Sequence, residues 1–164
     1  MKKTVVSLTI NGAEREMLVA PGTTLVEALR ENQGLTGTRR GCDQGACGSC
    51  TVLVDGKAML SCLLPVETID GARVATIEGL TPVQGLHPIQ EAFLEGFATQ
   101  CGFCTPGMIM ATAALLAENP APTRDDAVRA ISGNICRCTG YEAIIDAVLD
   151  AARRVGEASR AEAA

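Results

Sequence analysis

The feature that most constrains this chain is the placement of its eight cysteines, which fall into two groups with defined spacing. The first group lies in GCDQGACGSC and the segment after it, and the second is divided between QCGFC and ICRC. A chain of 164 residues with no tryptophan and three phenylalanines has few large side chains to fill a core. We therefore expect bound metal to stabilise one domain or two small ones.

The spacing within the first group is typical of a two-iron centre. Three cysteines follow the pattern C-x₄-C-x₂-C and a fourth comes later: Cys42, Cys47, Cys50 and Cys62. Plant-type [2Fe–2S] ferredoxins have this pattern, in a loop that wraps the cluster and aims backbone N–H groups at sulfur. The glycines among these cysteines, Gly41, Gly45 and Gly48, suit such a loop because they allow positive φ and close approach. A four-cysteine zinc site is the alternative, although zinc usually binds two short cysteine pairs.

A predicted hairpin explains how the fourth cysteine reaches the site. TVLV and KAML are predicted to be strands joined by a two-residue turn at Asp55-Gly56. In that register Cys50 lies opposite Ser61. The hairpin therefore returns Cys62 to within one residue of Cys50 and closes the site.

Strand and turn patterns fill the rest of the chain before about residue 80. TVVSLTI alternates apolar and polar residues, Asn11-Gly12 supplies a hairpin turn, and EREMLV returns as a second strand. TLVEALREN is predicted to be a short helix, with Thr24 and Glu27 as a capping box and Gly34 just past its end. ARVATIEGL is predicted to be the last strand. This half of the chain favours a small β-rich domain.

Beyond Thr81-Pro82 the hydrophobic pattern changes to the period of helices. Four helices are predicted, at 87–97, 105–119, 123–133 and from 139 onwards. Thr123 with Asp126, and Thr139 with Glu142, have the spacing of capping boxes. The chain is therefore predicted to comprise a domain over 1–80, a helical domain over 81–158 and a flexible tail over 159–164.

The second cysteine group falls in the loops between these helices. Cys101 and Cys104 precede the second helix, while Cys136 and Cys138 precede the fourth. If the helix pairs pack side by side, the four sulfurs meet at one end, near the helix N-termini expected at Thr105 and Thr139. The positive ends of helices favour the negative charge of a four-thiolate cluster. Zinc remains possible here, but C-x-C is not a common zinc pairing.

Several other residues could act at these sites, but each has a simpler interpretation. His87 lies at a predicted helix start, where a capping or surface role is more usual than ligation. Met108 and Met110 have the spacing of core residues, with a cofactor-lining role as the alternative. The Arg39-Arg40 pair is expected to be solvated, with tuning of the first centre or a partner contact as the alternative. Arg137 stands between two cysteines, where its charge could offset that of a cluster or meet a partner's phosphate.

Charge and segment patterns exclude several classes of protein. A net charge of −5 and the absence of a basic run argue against nucleic acid as a partner. No segment reaches the roughly 18 apolar residues that span a bilayer, and the N-terminus lacks the pattern of a signal peptide. We therefore expect the cytoplasm, where clustered cysteines bind metal more often than they form disulfides. The chain also lacks a G-x-G-x-x-G motif, a P-loop and an acid–base set, so substrate chemistry is expected elsewhere.

The cysteine motifs together resemble one known family. GCDQGACGSCTVLVDG, followed by QCGFCTPGMIM and GNICRCTGY, is similar to the small iron–sulfur subunit of the molybdenum hydroxylases, the xanthine oxidase family. The small chains of aerobic carbon monoxide dehydrogenase, 4-hydroxybenzoyl-CoA reductase and the nicotinate and quinoline oxidoreductases are of this type. The resemblance covers about residues 4–155 and includes all eight cysteines.

This resemblance implies an α+β fold, with an N-terminal ferredoxin-like β-grasp domain and a C-terminal four-helix bundle that each carry a [2Fe–2S] cluster. It implies that Gln100 and Cys138 contact a molybdopterin, as the cytosine dinucleotide, on a large partner subunit. The first cluster would face FAD on a medium subunit, within a dimer of heterotrimers. The function implied is electron transfer between the two partners. A free-standing ferredoxin-like shuttle and a zinc-stabilised interaction module are the alternatives.

Overall fold

The structure, a computed structural model, describes residues 2–162. Its first half is built on a five-stranded mixed sheet. The strands are β1 Thr4–Ile10, β2 Ala13–Val19, β3 Thr51–Val54, β4 Lys57–Leu60 and β5 Arg73–Ala75. Their order across the sheet is β2-β1-β5-β3-β4, with β1 and β5 parallel and the other neighbours antiparallel. An α+β fold is therefore confirmed.

Both predicted hairpins are present. Asn11 and Gly12 have φ of 50° and 81°, and the residues of the second turn, Asp55-Gly56, have φ of 48° and 82°. Two successive residues with positive φ are characteristic of the two-residue turn that matches the twist of the strands. Just past the β3–β4 pairing, the Ser61 N–H donates to the Cys50 carbonyl at 3.3 Å, which confirms the predicted register.

The helix that follows β2 is short and changes its winding. Helix α1 covers Leu25–Glu27 and continues as a π-helical turn over Ala28–Asn32. The Thr24 hydroxyl accepts the Glu27 N–H at 3.4 Å, which is the N-cap half of the predicted capping box. Together with the inner face of the sheet, this helix encloses the core of the first half, in which Leu25, Leu29 and Val52 are fully buried.

The last predicted strand is only partly correct, because β5 ends at Ala75. Asn11, in the first hairpin turn, accepts the Thr76 N–H at 2.8 Å and donates to the Thr76 hydroxyl at 3.0 Å. These side-chain hydrogen bonds take the place of the next backbone hydrogen bonds of the sheet, so the chain leaves the sheet after Ala75. A one-turn helix, α2, then covers Ile77–Leu80. No local sequence signal shows this contact, since its two residues are 65 positions apart.

Four longer helices make up the second half: α3 Pro88–Glu95, α4 Thr105–Glu118, α5 Arg124–Ile131 and α6 Glu142–Glu162. Helix α3 packs on α6 and α4, and α5 packs on α4 and α6. All four contribute to one apolar core around Phe93, Met108 and Ile144. Within residues 2–162, no helix has the length and apolar character needed to cross a membrane.

Side-chain caps begin two of these helices as predicted. At the start of α3, His87 Nδ1 accepts the Ile89 N–H at 3.2 Å and Gln90 accepts the His87 N–H at 3.0 Å. Thr123 and Asp126 form the same reciprocal arrangement at the start of α5. His87 is therefore a capping residue.

The start and end of α6 differ from the prediction. Gly140 and Tyr141 have φ of 71° and 73°, which is incompatible with a right-handed helix, so α6 begins at Glu142 rather than at Thr139. The helix then continues through Glu162. Residues 159–162 of the predicted tail are therefore helical, and its last two residues lie outside the described part of the chain.

Candidate metal centres

The first cysteine quartet forms where the loop over 41–49 meets the β3–β4 hairpin. Cys42 and Cys47 are half-buried in the loop, Cys50 precedes β3, and Cys62 lies in the 3₁₀ turn Ser61–Leu63 after β4. Cys50 and Cys62 are buried, and the Cys50 thiol lies near enough to that of Cys62 to raise its pKa. The Cys47 thiol lies near enough to that of Cys42 to lower its pKa. The fold therefore brings together all four residues assigned to the first group.

Backbone donors point at sulfur in this loop. The N–H groups of Ala46 and Cys47 both lie 3.4 Å from Cys42 Sγ. Hydrogen bonds from the backbone of Gln44, Cys47 and Ala46 lower the pKa of the Cys42 thiol to about 7. Burial, together with the adjoining Cys50 thiol, raises the pKa of Cys62 to about 11. Binding of metal at the buried thiols therefore releases protons, while the donors stabilise sulfur that carries negative charge.

The loop also has the tight backbone path that was expected of it. A Cβ atom on Gly41 would lie 2.7 Å from Cys47 Sγ, so only glycine fits there without displacement. Asp43 takes a positive φ of 55°, and its carboxylate binds the Arg40 guanidinium through a 2.8 Å ion pair. Arg40 therefore forms a surface ion pair with this loop and remains exposed to solvent, as expected.

The second quartet joins two helix-connecting loops at one end of the helices, as predicted. The exposed Cys101 and Cys138 have their sulfurs 3.6 Å apart. Cys104 and Cys136 are buried, with their thiols near each other. Burial, followed by the Cys136 thiol, raises the pKa of Cys104 to about 12. The quartet therefore has an open side and a buried side.

The donors at this second quartet differ from those predicted. Helix α4 begins at Thr105 beside Cys104, but α6 begins beyond the site, so only one helix N-terminus lies there. Instead, the Thr139 hydroxyl lies 3.2 Å from Cys136 Sγ, and the Cys138 N–H lies 3.4 Å from the same sulfur. Burial opposes ionisation of Cys136, but the Thr139 hydroxyl and the N–H groups of Cys138 and Thr139 lower its pKa.

A direct contact joins the two quartets, and the sequence did not reveal it. The Ile135 N–H donates to the Cys47 carbonyl at 2.8 Å, which places a ligand of the first quartet one hydrogen bond from the residue before Cys136. Beside it, the buried Asn134 side chain donates to the Gly48 carbonyl at 2.8 Å. A Cβ atom on Gly107 of α4 would lie 2.4 Å from that same carbonyl oxygen. Glycine at both positions allows this close approach.

The remaining predicted residues divide between core and surface. Met108 and Met110 are fully buried in the helical half and serve as core residues. Gln100 and Arg137 are exposed, next to the exposed Cys101 and Cys138 respectively. Two solvent-exposed polar side chains, those of Gln100 and Arg137, therefore lie at the open side of the second quartet.

The chemistry of both quartets fits a [2Fe–2S] cluster. Each supplies four thiols, N–H or O–H donors to sulfur, and a backbone that approaches closely.

Comparison with known proteins agrees with this chemistry. Residues 8–74 match the family model of the 2Fe-2S iron-sulfur cluster binding domain, and residues 76–149 match that of the [2Fe-2S] binding domain. The fold and the sites therefore define an iron–sulfur protein with two [2Fe–2S]-binding domains.

Three similar proteins define the family more closely. The nicotine 6-hydroxylase small subunit of Paenarthrobacter nicotinovorans is 46% identical over 92% of this chain and 91% of its own length. The xanthine dehydrogenase iron-sulfur-binding subunit of Escherichia coli O157:H7 is 47% identical over 88% of this chain and 92% of its own. In the crystal structure of quinoline 2-oxidoreductase from Pseudomonas putida 86, one chain matches with a TM-score of 0.92 and 49% identity, over 98% of both chains.

The chain belongs to the family of small iron–sulfur subunits of the molybdenum hydroxylases. It is therefore the electron-transfer subunit of an oxidoreductase and does not itself transform the substrate.

Proposed function

We propose that this subunit relays single electrons between a molybdopterin on a large partner subunit and FAD on a medium one. A [2Fe–2S] cluster accepts and returns one electron at a time. Four cysteines hold the first cluster: Cys42, Cys47, Cys50 and Cys62. Four hold the second: Cys101, Cys104, Cys136 and Cys138. The observation that carries the proposal is the 2.8 Å hydrogen bond from Ile135 to Cys47, because it links the two quartets through a short bonded route.

The exposure of the two quartets indicates which partner each of them faces. Cys101 and Cys138 lie at the surface, as does Gln100, so a cofactor on a docked partner can approach the second quartet closely. The apolar side chains of Phe103 and Ile135 are 44% and 52% exposed next to cysteines of this quartet, and burial of such side chains would stabilise docking. We assign this face to the large subunit, where Gln100 and Cys138 contact the pterin.

The first quartet then faces the medium subunit. Leu63, beside Cys62, is 57% exposed and packs over the loop at Gly45, where it offers an apolar contact to a partner. We further propose that the helices α3 to α6 act as a four-helix bundle, with the domain boundary near residue 80. The complete enzyme is proposed to be a dimer of heterotrimers in the cytoplasm, with the pterin as its cytosine dinucleotide.

Purification of the native complex tests this proposal. We expect the chain to elute with two larger subunits and to contain about four irons, with two distinct EPR signals on reduction. Elution at the mass of the chain alone would instead support a free-standing electron shuttle. A colourless protein that contains zinc and no iron would overturn the relay and leave the zinc-stabilised interaction module.

Gln100→Ala should slow reduction of the second cluster by substrate about tenfold, without loss of iron, because it removes a polar contact to the pterin but no ligand. Stopped-flow absorbance measures the rate. The relatives are named for nicotine, xanthine and quinoline, so a panel of N-heterocycles supplies the substrate. Gln84→Ala, at another exposed glutamine, is the matched control. Equal losses of rate and of iron in Gln100→Ala would contradict a role at the pterin.

A further inference from the structure

We propose that Thr139 sets the reduction potential of the second cluster by donating a hydrogen bond to Cys136. The Thr139 Oγ1 lies 3.2 Å from Cys136 Sγ, well within the distance for a hydrogen bond to sulfur. This inference rests on the proposed function, because it requires the second quartet to hold a [2Fe–2S] cluster. It assigns a defined role to a residue that was expected to begin a helix.

The local backbone commits the Thr139 proton to this sulfur. Thr139 Oγ1 also accepts the N–H of Tyr141 at 3.2 Å. The contact with Tyr141 uses the hydroxyl oxygen as an acceptor, because a backbone N–H can only donate. The single hydroxyl proton of Thr139 therefore remains available to donate to Cys136. The left-handed residues Gly140 and Tyr141 create the tight turn that brings the Tyr141 N–H back to Thr139. Gly140 and Tyr141, which make α6 begin at Glu142, therefore also orient the Thr139 hydroxyl.

Tyr141 holds the other partner in place as well. Its phenol oxygen accepts the backbone N–H of Cys136 at 2.9 Å and lies 3.4 Å from the Asn134 carbonyl, to which it donates. Tyr141 therefore holds both partners of this bond. Its backbone amide holds the donor Thr139, and its side chain holds the acceptor Cys136. The geometry of the bond to sulfur is therefore built into the loop.

The position of Cys136 makes this bond important for electron transfer. Cys136 is 9% exposed and follows Ile135, whose N–H contacts Cys47. Reduction of a cluster bound here, by one electron from the molybdopterin of the large subunit, would add one negative charge to the cluster and its thiolates, break no bond, and leave the proton on Thr139. A donor to a thiolate in a buried site stabilises that added charge more than it would in water. Thr139 therefore makes the second cluster easier to reduce.

The test is an EPR-monitored potentiometric titration of the assembled complex, with dithionite as reductant. In Thr139→Val we expect the midpoint potential of the second cluster to shift to more negative values and that of the first to remain unchanged. Thr139→Ser keeps the hydroxyl and should titrate like the wild type. Thr105→Val is the matched control, because the Thr105 hydroxyl bonds Thr99 at 2.9 Å rather than a sulfur, and should cause no shift.

Two results would overturn this role for Thr139. The first is an unchanged midpoint in a Thr139→Val complex that retains both signals. The second is an equal shift in the Ser and Val variants, which would show that the loop, not the hydroxyl, matters. If the wild-type second quartet gives no [2Fe–2S] signal, the proposed function is wrong. This inference, which rests on that function, is then wrong as well.

A further measurement does not depend on the folding of a variant. Wild-type complex exchanged into D₂O should show two exchangeable deuterons coupled to the EPR signal of the second cluster, one from the Thr139 hydroxyl and one from the Cys138 N–H, because both donors lie beside Cys136 Sγ. Coupling to the amide deuteron alone would overturn the proposal even if Thr139→Val fails to assemble.

Discussion

Cys47→Ala is expected to remove the EPR signal of the first cluster and about half of the iron, while the signal of the second cluster remains. The substitution deletes one thiolate of the first quartet, so that cluster cannot be held. The contact with the second quartet uses the Cys47 carbonyl, which accepts the Ile135 N–H and is unaffected by the change of side chain. EPR spectra of the reduced complex, with iron analysis, measure both effects.

Cys101→Ala is the reciprocal control for this experiment. Cys101 is exposed, so its truncation leaves no cavity in the core, and it should remove the second signal and spare the first. Loss of both signals in either variant would show that the two sites do not assemble independently. That outcome would contradict the assignment of two separate quartets.

Gly107→Ala should destabilise the protein, even though alanine favours helix formation by about 1 kcal/mol. The added Cβ would lie 2.4 Å from the Gly48 carbonyl oxygen, a backbone atom that cannot move without shifting the first loop. Overpacking of this kind costs about 1–3 kcal/mol. Because a backbone atom must shift, the cost should fall in the upper part of that range, about 2–3 kcal/mol. The gain in helix propensity of about 1 kcal/mol leaves a net loss of about 1–2 kcal/mol, which corresponds to a decrease in Tm of about 2–8 °C for a chain of this size. Thermal unfolding followed by circular dichroism measures it.

The contact between the two quartets, through Gly107 and Gly48, should also weaken in Gly107→Ala. We therefore expect slower electron transfer from one cluster to the other. Gly133→Ala provides the matched control, since a Cβ on Gly133 meets nothing within 4 Å. Gly133 lies directly before Asn134, so the control probes the same junction without the steric conflict. An equal decrease in Tm for both variants would show that the contact between Gly107 and Gly48 is not responsible.

Features that depend on neighbouring residues were predicted well from the sequence. The hairpins at Asn11-Gly12 and Asp55-Gly56 are determined by turn residues that accept positive φ. The caps of α3 and α5 lie within three residues of their partners. These interactions form locally, so a short stretch of sequence contains all of the groups involved.

Features that depend on distant residues were missed. The end of β5 is set by Asn11, 65 residues away, and no pattern near Thr76 indicates it. The capping spacing of Thr139 and Glu142 was misleading because Gly140 and Tyr141 are left-handed. The glycine between Cys138 and Tyr141 was the one available signal, since glycine favours that conformation.

The spacing of the cysteines by itself predicted the first quartet, because loop length and turn geometry limit how far one ligand can lie from the next. For the second quartet it predicted only the two pairs, Cys101 with Cys104 and Cys136 with Cys138, and their meeting depended on helix packing. Only the tertiary structure decided how the two groups meet. That contact depends on a backbone amide of Ile135, the buried side chain of Asn134 and the absence of a side chain at Gly107. Backbone amides occur at almost every position, so a sequence cannot show which of them will be brought against Cys47 by packing.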